Sequence, residues 1–316
     1  MSAMLEFTSV SKDFSKTKAL DRLDLAVEEG ELYGLLGPNG AGKSTCMRLA
    51  ATLLQPTSGT IRIGGRDAHE FRDEVRRLIG IVPQELGLIP LLTARENLEM
   101  FGRFQGLRGQ ELRKRVNEAL ALSELTTKGG PARDFSGGMK RRLNFTVGLL
   151  HQPALLLLDE PTVGVDPQSR ALMFSTIRDL HAQGMTIVIT SHQMDEIQSL
   201  CPRVGIIDNG RLVIEGSTSA LVAEYGSTVT TIQTESCPEL LASALEQVLG
   251  AGTVTVEENV VTLSVRNWAN VAPDVFHVIA RVEATVISIW SQPPTLDGVF
   301  LALTGRALRD SSGGVP

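Results

Sequence analysis

Short apolar runs alternate with helix-like segments through most of the chain. Residues 32–36, 80–83, 155–159 and 186–190 form four such runs, each bounded by turn or helix signals. Runs that are apolar on both faces are typical of parallel strands with helices on both sides. The pattern therefore predicts an α/β domain over residues 1–225, with a parallel sheet at its centre.

Two segments depart from this alternation. Asn209-Gly210 lies between the apolar segments VGIID and RLVIE, which predicts a β-hairpin with a two-residue turn. Residues 93–125 are predicted to be helical throughout, within a helical subdomain at about 90–150, and Thr93 with Glu96 predicts a capping box at the start. Apolar side chains recur there at helical spacing: Leu98, Phe101, Phe104, Leu112, Val116 and Leu120.

The sequence changes in character after residue 225. Residues 226–308 follow the order strand, helix, strand, strand, helix, strand, which is that of the ferredoxin-like arrangement. We expect a small α+β domain with Trp268 and Trp290 in its core, a last helix over residues 295–309 and a flexible tail at 309–316. Because the segment has no carboxylate pair, His/Cys cluster or glycine-rich loop, it favours packing or a dimer contact over catalysis.

The composition is that of a folded globular protein. Of 316 residues, 42% are hydrophobic and 21% are charged, and the net charge of −6 disfavours sequence-independent nucleic-acid binding. No apolar run approaches the roughly 18 residues of a membrane-spanning helix, and the first residues lack the pattern of a signal peptide. The three cysteines are far apart, so we expect free thiols at Cys46, Cys201 and Cys237.

A glycine-rich motif follows the first apolar run and precedes a helical stretch. It fits the pattern G-x-x-x-x-G-K-[ST], in which glycines let the backbone wrap a phosphate that the loop amides bind. Lys43 would reach the β- and γ-phosphates, and Ser44 would bind Mg²⁺. The alternative is a chance glycine-rich turn, which this position disfavours. The predicted phosphate loop comprises Gly37, Pro38, Asn39, Gly40, Ala41, Gly42, Lys43, Ser44 and Thr45.

Two carboxylates, Asp159 and Glu160, stand at the end of the apolar run 155–159. The carboxyl end of a strand in an open α/β sheet faces the ligand crevice. We therefore expect Asp159 to hold Mg²⁺ through water, and Glu160 to orient the attacking water or to accept its proton. The alternative, a strand that simply ends in surface charge, is disfavoured by the phosphate loop upstream.

Ser136, Gly137 and Gly138 open another helical stretch. A serine followed by two glycines suits a helix N-terminus that faces a phosphate. A helix capped by serine after a glycine turn accounts for the same residues equally well. Taken alone, this segment leaves both interpretations open.

Six motifs in one order resemble the nucleotide-binding subunits of ATP-binding-cassette (ABC) transporters. They are GPNGAGKST, IVPQ with Gln84, FSGGMKRRL, LLLLDEP, VGVDP and ITSH. The resemblance covers about residues 4–225, and the serine–glycine–glycine signature separates ABC proteins from other P-loop NTPases. It implies a P-loop NTPase cassette that has a parallel-sheet core, an antiparallel β part and a helical insertion.

The resemblance also implies roles for four further residues. Phe14 would stack on adenine, and Gln84 would touch Mg²⁺ and the attacking water. Asp166 would communicate across a dimer, and His192 would bind the γ-phosphate. The alternatives are a core position for Phe14 and a polar strand end for Gln84. For Asp166 the alternative is a helix N-cap, and for His192 it is an ordinary surface position.

The chemistry implied by the resemblance is the hydrolysis of ATP with Mg²⁺ between two copies of the chain arranged head to tail. Lys43, Glu160 and His192 would be the catalytic residues. Ser44, Gln84 and Asp159 would hold the metal. The nucleotide would be bound by the phosphate loop, Phe14, Gln84, Asp159, Asp166 and His192 of one copy, and by Ser136, Gly137 and Gly138 of the other.

Two features resemble a narrower group, the exporter ATPases of the daunorubicin/doxorubicin-resistance type. They are Met139, where the signature usually has glutamine, and residues 293–308. The expected protein is a bacterial exporter motor, a homodimer on the cytoplasmic face of the cell membrane that docks on separately encoded ABC-2-type transmembrane subunits. The alternatives are an importer, a lipid or polysaccharide flippase, a soluble ABC ATPase acting on ribosomes or DNA, and a regulatory module without transport.

Overall fold

The computed structural model describes residues 2–15, 17–235, 237–250 and 253–304, which form one compact unit up to Glu215 and another from Gly216. The second unit begins before the predicted boundary at 225 and 226, because the helix Thr218–Tyr225 packs on the last described helix, Leu296–Thr304. The boundary between the functional domains stays a prediction. Within the described ranges, no helix has both the length and the apolar character needed to span a bilayer.

Strands and helices of the first unit follow the predicted alternation. Its strands are β1 (Ala3–Phe14), β2 (Thr17–Glu28), β3 (Leu32–Leu36), β4 (Ser58–Ile63), β5 (Arg66–Asp67), β6 (Ile79–Val82), β7 (Leu155–Asp159), β8 (Thr186–Ser191), β9 (Arg203–Asp208) and β10 (Arg211–Ser217). Its α-helices are α1 (Lys43–Ala50), α2 (Arg72–Leu78), α3 (Ala94–Phe104), α4 (Gly109–Leu122), α5 (Gly137–Val147), α6 (Pro167–Ala182) and α7 (Met194–Leu200).

The main sheet has the order β10-β9-β3-β8-β7-β6, and the strands from β9 to β6 run parallel. Every residue of β3, β7 and β8 is buried, as the apolar runs predict. The predicted hairpin joins β9 to β10, with Asn209 and Gly210 both at positive φ. A separate antiparallel sheet has the order β2-β1-β4-β5. The predicted α/β cassette is therefore confirmed.

The helical insertion consists of two helices rather than the continuous one predicted. The chain leaves α3 after Phe104 because Gly106 takes a φ of 88°, which a helix does not accommodate. Thr93 and Glu96 form the predicted capping box. Phe104 is 78% exposed and lies outside the core of the insertion, although its ring makes an edge-to-face contact with that of Phe101 at 6.4 Å. The other predicted apolar positions pack together between α3, α4 and α5: Leu98, Phe101, Leu112, Val116 and Leu120.

The second unit contains the elements α8 (Thr218–Tyr225), β11 (Thr228–Thr234), α9 (Pro238–Leu249), β12 (Val254–Glu257), β13 (Val260–Val265), α10 (Trp268–Val282), β14 (Val286–Gln292) and α11 (Leu296–Thr304). Its four strands form an antiparallel sheet with the order β12-β13-β11-β14, which is the strand order of the ferredoxin-like arrangement that the sequence predicts. Trp268 is partly buried against its core, but Trp290 is 62% exposed, so its predicted core position is wrong. The predicted last helix is present as far as Thr304, and its remainder and the predicted tail lie outside the described residues.

Candidate functional site

Two positions in the loop between β3 and α1 have room only for glycine. A Cβ added at Gly37 would lie 2.2 Å from the carbonyl oxygen of Ile207. Gly42 has a φ of 108°, and an added Cβ would lie 2.6 Å from the carbonyl oxygen of Ala19. No side chain caps α1, so its first N–H groups suit an anion. The turn of the loop contains Pro38, Asn39, Gly40 and Ala41, and Ser44 and Thr45 lie in the first turn of α1.

Lys43 folds back over this loop. Its Nζ donates to the carbonyl oxygens of Gly37 at 2.7 Å and Pro38 at 3.1 Å, and it lies 3.5 Å from Oε1 of Glu160. Burial lowers the pKa of Lys43, and the nearby Glu160 carboxylate partly offsets that shift. The loop thus surrounds a buried amine whose donors face carbonyl oxygens that phosphate oxygens can replace.

The carboxyl ends of β7 and β8 bring hydroxyl and carboxylate groups to the start of α1. Oδ1 of Asp159 accepts hydrogen bonds from Oγ of Ser44 at 3.2 Å and Oγ1 of Thr190 at 2.7 Å. Because Asp159 is only 6% exposed, these bonds offset much of the cost of burying its carboxylate. Two of the three predicted metal ligands, Ser44 and Asp159, therefore lie together.

Glu160 occupies a strained position next to this carboxylate. Its φ is 45°, in the left-handed region, and its N–H donates to Oγ1 of Thr190 at 3.0 Å. Its Oε2 accepts from Nε2 of Gln84 at 3.2 Å, and Nδ1 of His192 lies 3.2 Å away without hydrogen-bond alignment. Residues predicted from separate motifs therefore converge, and we call them the loop cluster: Lys43, Ser44, Gln84, Asp159, Glu160 and His192.

The signature segment and Asp166 both act as helix caps and adjoin each other. Oγ of Ser136 accepts from the N–H of Met139 at 3.3 Å, and Oδ1 of Asp166 accepts from the N–H of Ser169 at 2.8 Å. A Cβ added at Gly138 would lie 2.5 Å from both Oδ2 of Asp166 and Oγ of Ser169. Among the described residues, no hydrogen bond or ion pair links Ser136 or Asp166 to the loop cluster.

Phe14 stands at the end of β1 and is 42% exposed, so the alternative of a core position does not hold. Nζ of Lys12 lies 5.2 Å from the centre of its ring. The partner strand β2 approaches the phosphate loop, since the carbonyl oxygen of Ala19 faces Gly42. An exposed aromatic ring on this hairpin is suited to stacking on a base.

Two contributors to the site, Thr190 in ITSH and Arg141 in FSGGMKRRL, lie within recognised motifs but were assigned no role from the sequence. Thr190 donates to Asp159 and accepts from Glu160, and a polar residue at the end of a buried parallel strand is a signal that could have found it. Arg141 donates from α5 to the carbonyl oxygen of Gln84. Because that contact is made to a backbone atom of another element, the sequence gives no sign of it.

The chemistry of the donor set fits a nucleotide triphosphate with Mg²⁺. The loop supplies an amine and an uncapped helix start for phosphates. Within the part of the chain that the structure describes, no group of three or more His, Cys, Asp or Glu could hold a metal. A metal would therefore need the phosphates and water beside Ser44, Gln84 and Asp159, which is how Mg²⁺ is commonly bound.

Comparisons with known sequences agree with this geometry. Residues 20–163 match the family model described as ABC transporter. The linearmycin resistance ATP-binding protein of Bacillus subtilis is 38% identical over 97% of this chain and 100% of its own length. The Nod factor export ATP-binding protein I of Sinorhizobium fredii is 39% identical over 97% and 87%, respectively. The daunorubicin/doxorubicin resistance ATP-binding protein of Streptomyces peucetius is 37% identical over 98% of this chain and 94% of its own length.

Solved structures are similar over a shorter part of the chain. A dimeric ATP-binding cassette in a post-hydrolysis state, bound to ADP and Pi, matches with a TM-score of 0.63 and 30% identity. That match covers 68% of this chain and 99% of the other. An ATP-binding subunit of an ABC transporter matches with a TM-score of 0.64 and 27% identity, over 69% of this chain and 91% of the other. The sequence relatives thus extend further along this chain than the solved cassettes do.

Proposed function

This chain belongs to the ABC transporter family of ATP-binding proteins, and on that premise we propose that it is the motor subunit of an ABC-2-type exporter. Its ATP hydrolysis would drive efflux of a drug, a lipid or a similar hydrophobic compound. The observation that carries this proposal is the similarity along almost the whole chain to proteins named for antibiotic resistance or export.

The loop cluster would perform the hydrolysis. Glu160 orients the attacking water or takes its proton, and its placement between Gln84 and His192 supports that role. Lys43 exchanges its carbonyl partners for phosphate oxygens and stabilises charge there. Bound Mg²⁺ would neutralise phosphate charge, with Ser44 and Gln84 as ligands and Asp159 acting through water.

Two copies would be needed to complete each site. Among the described residues, no hydrogen bond or ion pair joins Ser136 to the loop cluster of its own chain, which supports a role for Ser136, Gly137 and Gly138 on the ATP that a second copy holds. A dimeric relative with 30% identity supports this arrangement. ATP favours the paired state only if it binds that state more tightly than the separated one.

The remaining partners would be two separately encoded transmembrane subunits, with this chain bound at the cytoplasmic face of a bacterial cell membrane. Nucleic acid is not among the proposed partners, since the chain has 36 acidic and 30 basic residues. The exported compound would contact the transmembrane subunits rather than this chain.

Capture of the tagged chain from detergent-solubilised membranes of its host tests the proposal. We expect a multispanning protein of the ABC-2 type to co-purify and to raise Mg²⁺-dependent ATP hydrolysis above that of the chain alone. A periplasmic binding protein in the complex would favour import instead. Recovery with ribosomes and without any membrane protein would contradict the transport function.

A further inference from the structure

A third buried carboxylate, besides Asp159 and Glu160, lies next to the segments that carry the loop cluster. Glu196, on α7, is 4% exposed, and its Oε2 accepts a hydrogen bond from Oγ1 of Thr162 at 2.6 Å. Oγ of Ser191 donates to the same oxygen at 3.5 Å. Thr162 follows Glu160 in the turn that leads to Asp166, and Ser191 ends β8. Glu196 therefore joins two segments that each carry part of the proposed site.

Arg170 neutralises this carboxylate from α6. Its Nη1 lies 3.2 Å from Oε1 of Glu196, as an ion pair without hydrogen-bond alignment. Burial raises the pKa of Glu196, and the Thr162 hydroxyl and Arg170 oppose that rise. Because Arg170 is 32% exposed, solvent weakens this pair and its net contribution to stability is small. What the contacts of Glu196 fix is the geometry of the two segments that they join.

The hydroxyl of Ser191 also fixes the backbone on the far side of His192. It accepts a hydrogen bond from the N–H of Gln193 at 2.9 Å while it donates to Glu196. His192 lies between Ser191 and Gln193 in the sequence. The hydrogen bond between these two neighbours therefore fixes the turn that places the His192 ring beside Glu160. A shift of the Glu196 carboxylate would therefore be passed to the ring of His192.

We propose that Glu196 is a positioning residue that keeps His192 against Glu160 and ties it to the turn containing Thr162. The inference rests on the proposed function, because it assumes that Glu160 and His192 act on ATP. Within the described ranges, no hydrogen bond or ion pair links the Glu196 side chain to the phosphate loop or to Glu160. Its effect is on the geometry of the reacting groups, for which small displacements are costly.

The first test is Glu196→Gln in the full-length chain, which keeps the shape of the side chain. Its NH2 group is a donor, so it must face either the Arg170 guanidinium or the Thr162 and Ser191 hydroxyls, and the side chain can no longer accept on both sides. We expect kcat to fall about ten- to a hundredfold while KM for ATP stays within about twofold, because the phosphate loop is unchanged. The matched control is Glu31→Gln. Glu31 is ion-paired to Arg203 at 3.0 Å, and it precedes β3 at the opposite end of that strand from the phosphate loop.

A role confined to stability predicts a different result. Both variants would then lower the melting temperature, and neither would change kcat per folded molecule. Equal kcat values for Glu196→Gln and wild type would overturn the proposal. If Glu196→Gln does not fold, Ser191→Ala removes only the hydroxyl, and we expect it to lower kcat severalfold with KM unchanged; wild-type kcat in Ser191→Ala would equally overturn the proposal.

A double-mutant cycle with His192→Ala separates positioning from a general loss of activity. In single-turnover measurements, Glu196→Gln is expected to cost less than about twofold once His192 is absent, since its effect passes through that ring. If the losses of the two single variants simply add in the double variant, the positioning role of Glu196 is overturned, while the catalytic role of His192 is not affected. Wild-type hydrolysis by His192→Ala would remove the catalytic assignment itself, and the inference with it.

Discussion

The two units of the chain differ in what they bury. The first encloses four charged side chains that are each at most 6% exposed: Lys43, Asp159, Glu160 and Glu196. Among the described residues of the second unit, every buried polar side chain is a threonine: Thr218, Thr228, Thr230 and Thr234. Burying an ion costs several kcal/mol that pairing only partly recovers. Buried charge is thus concentrated where chemistry is proposed, and the described part of the second unit buries none.

Replacement of Glu160, the central carboxylate of the loop cluster, is expected to have the largest effect on ATP hydrolysis. Glu160→Gln keeps the side-chain shape but removes the base, so we expect kcat for ATP hydrolysis to fall about a hundred- to ten-thousandfold. ATP-bound dimers should still form and be visible by size-exclusion chromatography. Glu257→Gln, an exposed change in β12 of the second unit, is the control and should hydrolyse ATP normally. Steady-state hydrolysis at the wild-type rate in Glu160→Gln would contradict the assignment.

Equivalent cavities in the two cores test whether the units have separate tasks. Leu157→Ala in β7 and Leu263→Ala in β13 each truncate a fully buried side chain, and we expect each to lower the free energy of unfolding by about 2–5 kcal/mol. Only Leu157→Ala should weaken ATP binding, since β7 carries Asp159. Both tryptophans, Trp268 and Trp290, lie in the second unit, so their fluorescence follows its unfolding selectively.

Measuring ATP binding by calorimetry completes that comparison. The experiment must be run where both variants are folded. An equal loss of ATP affinity in Leu263→Ala would show that the second unit contributes to nucleotide binding, and the contrast between the units would fail.

Removal of the buried Lys43 amine should have a smaller effect, and it should act on the affinity for ATP. Lys43→Ala deletes the donor that we expect to bind phosphate, so the Kd for ATP should rise about ten- to a hundredfold, the range for hydrogen bonds to charged groups. Lys114→Ala changes an exposed lysine of α4 and serves as the control. Unchanged affinity in Lys43→Ala would exclude the phosphate-binding role.

The exposed aromatic residues give the mildest comparison. Phe14→Ala should raise the Kd for ATP about five- to tenfold, at the low end of the range for base stacking, and Phe14→Tyr should restore it. Trp290→Ala removes an even more exposed ring from the second unit and should leave the Kd unchanged. Equal effects of the two alanine variants would indicate that neither ring stacks on adenine.

The convergence of the loop cluster could be predicted because its members stand where parallel strands end. Asp159 ends β7 and Glu160 follows it, His192 follows β8, and the phosphate loop follows β3, so one edge of the sheet brings them together. Their roles stay predictions, but their proximity follows from strand order alone.

Contacts made between elements without a motif could not be predicted. Nothing in the sequence places the carboxylate of Glu196 beside Thr162, since both belong to turns or helices whose relative position depends on packing. The break between α3 and α4 was missed because apolar spacing continues across Gly106. The exposure of Trp290 was missed because a strand at the edge of a sheet has the same local pattern as a central one.

The contact at Gly138 has a mechanical consequence. A Cβ at Gly138 would lie 2.5 Å from Oδ2 of Asp166 and Oγ of Ser169, so the start of α5 packs directly on the cap of α6. Gly138→Ala would displace the capping side chains of α6 as well as the start of α5. One substitution would therefore disturb both of the segments proposed to face a second copy.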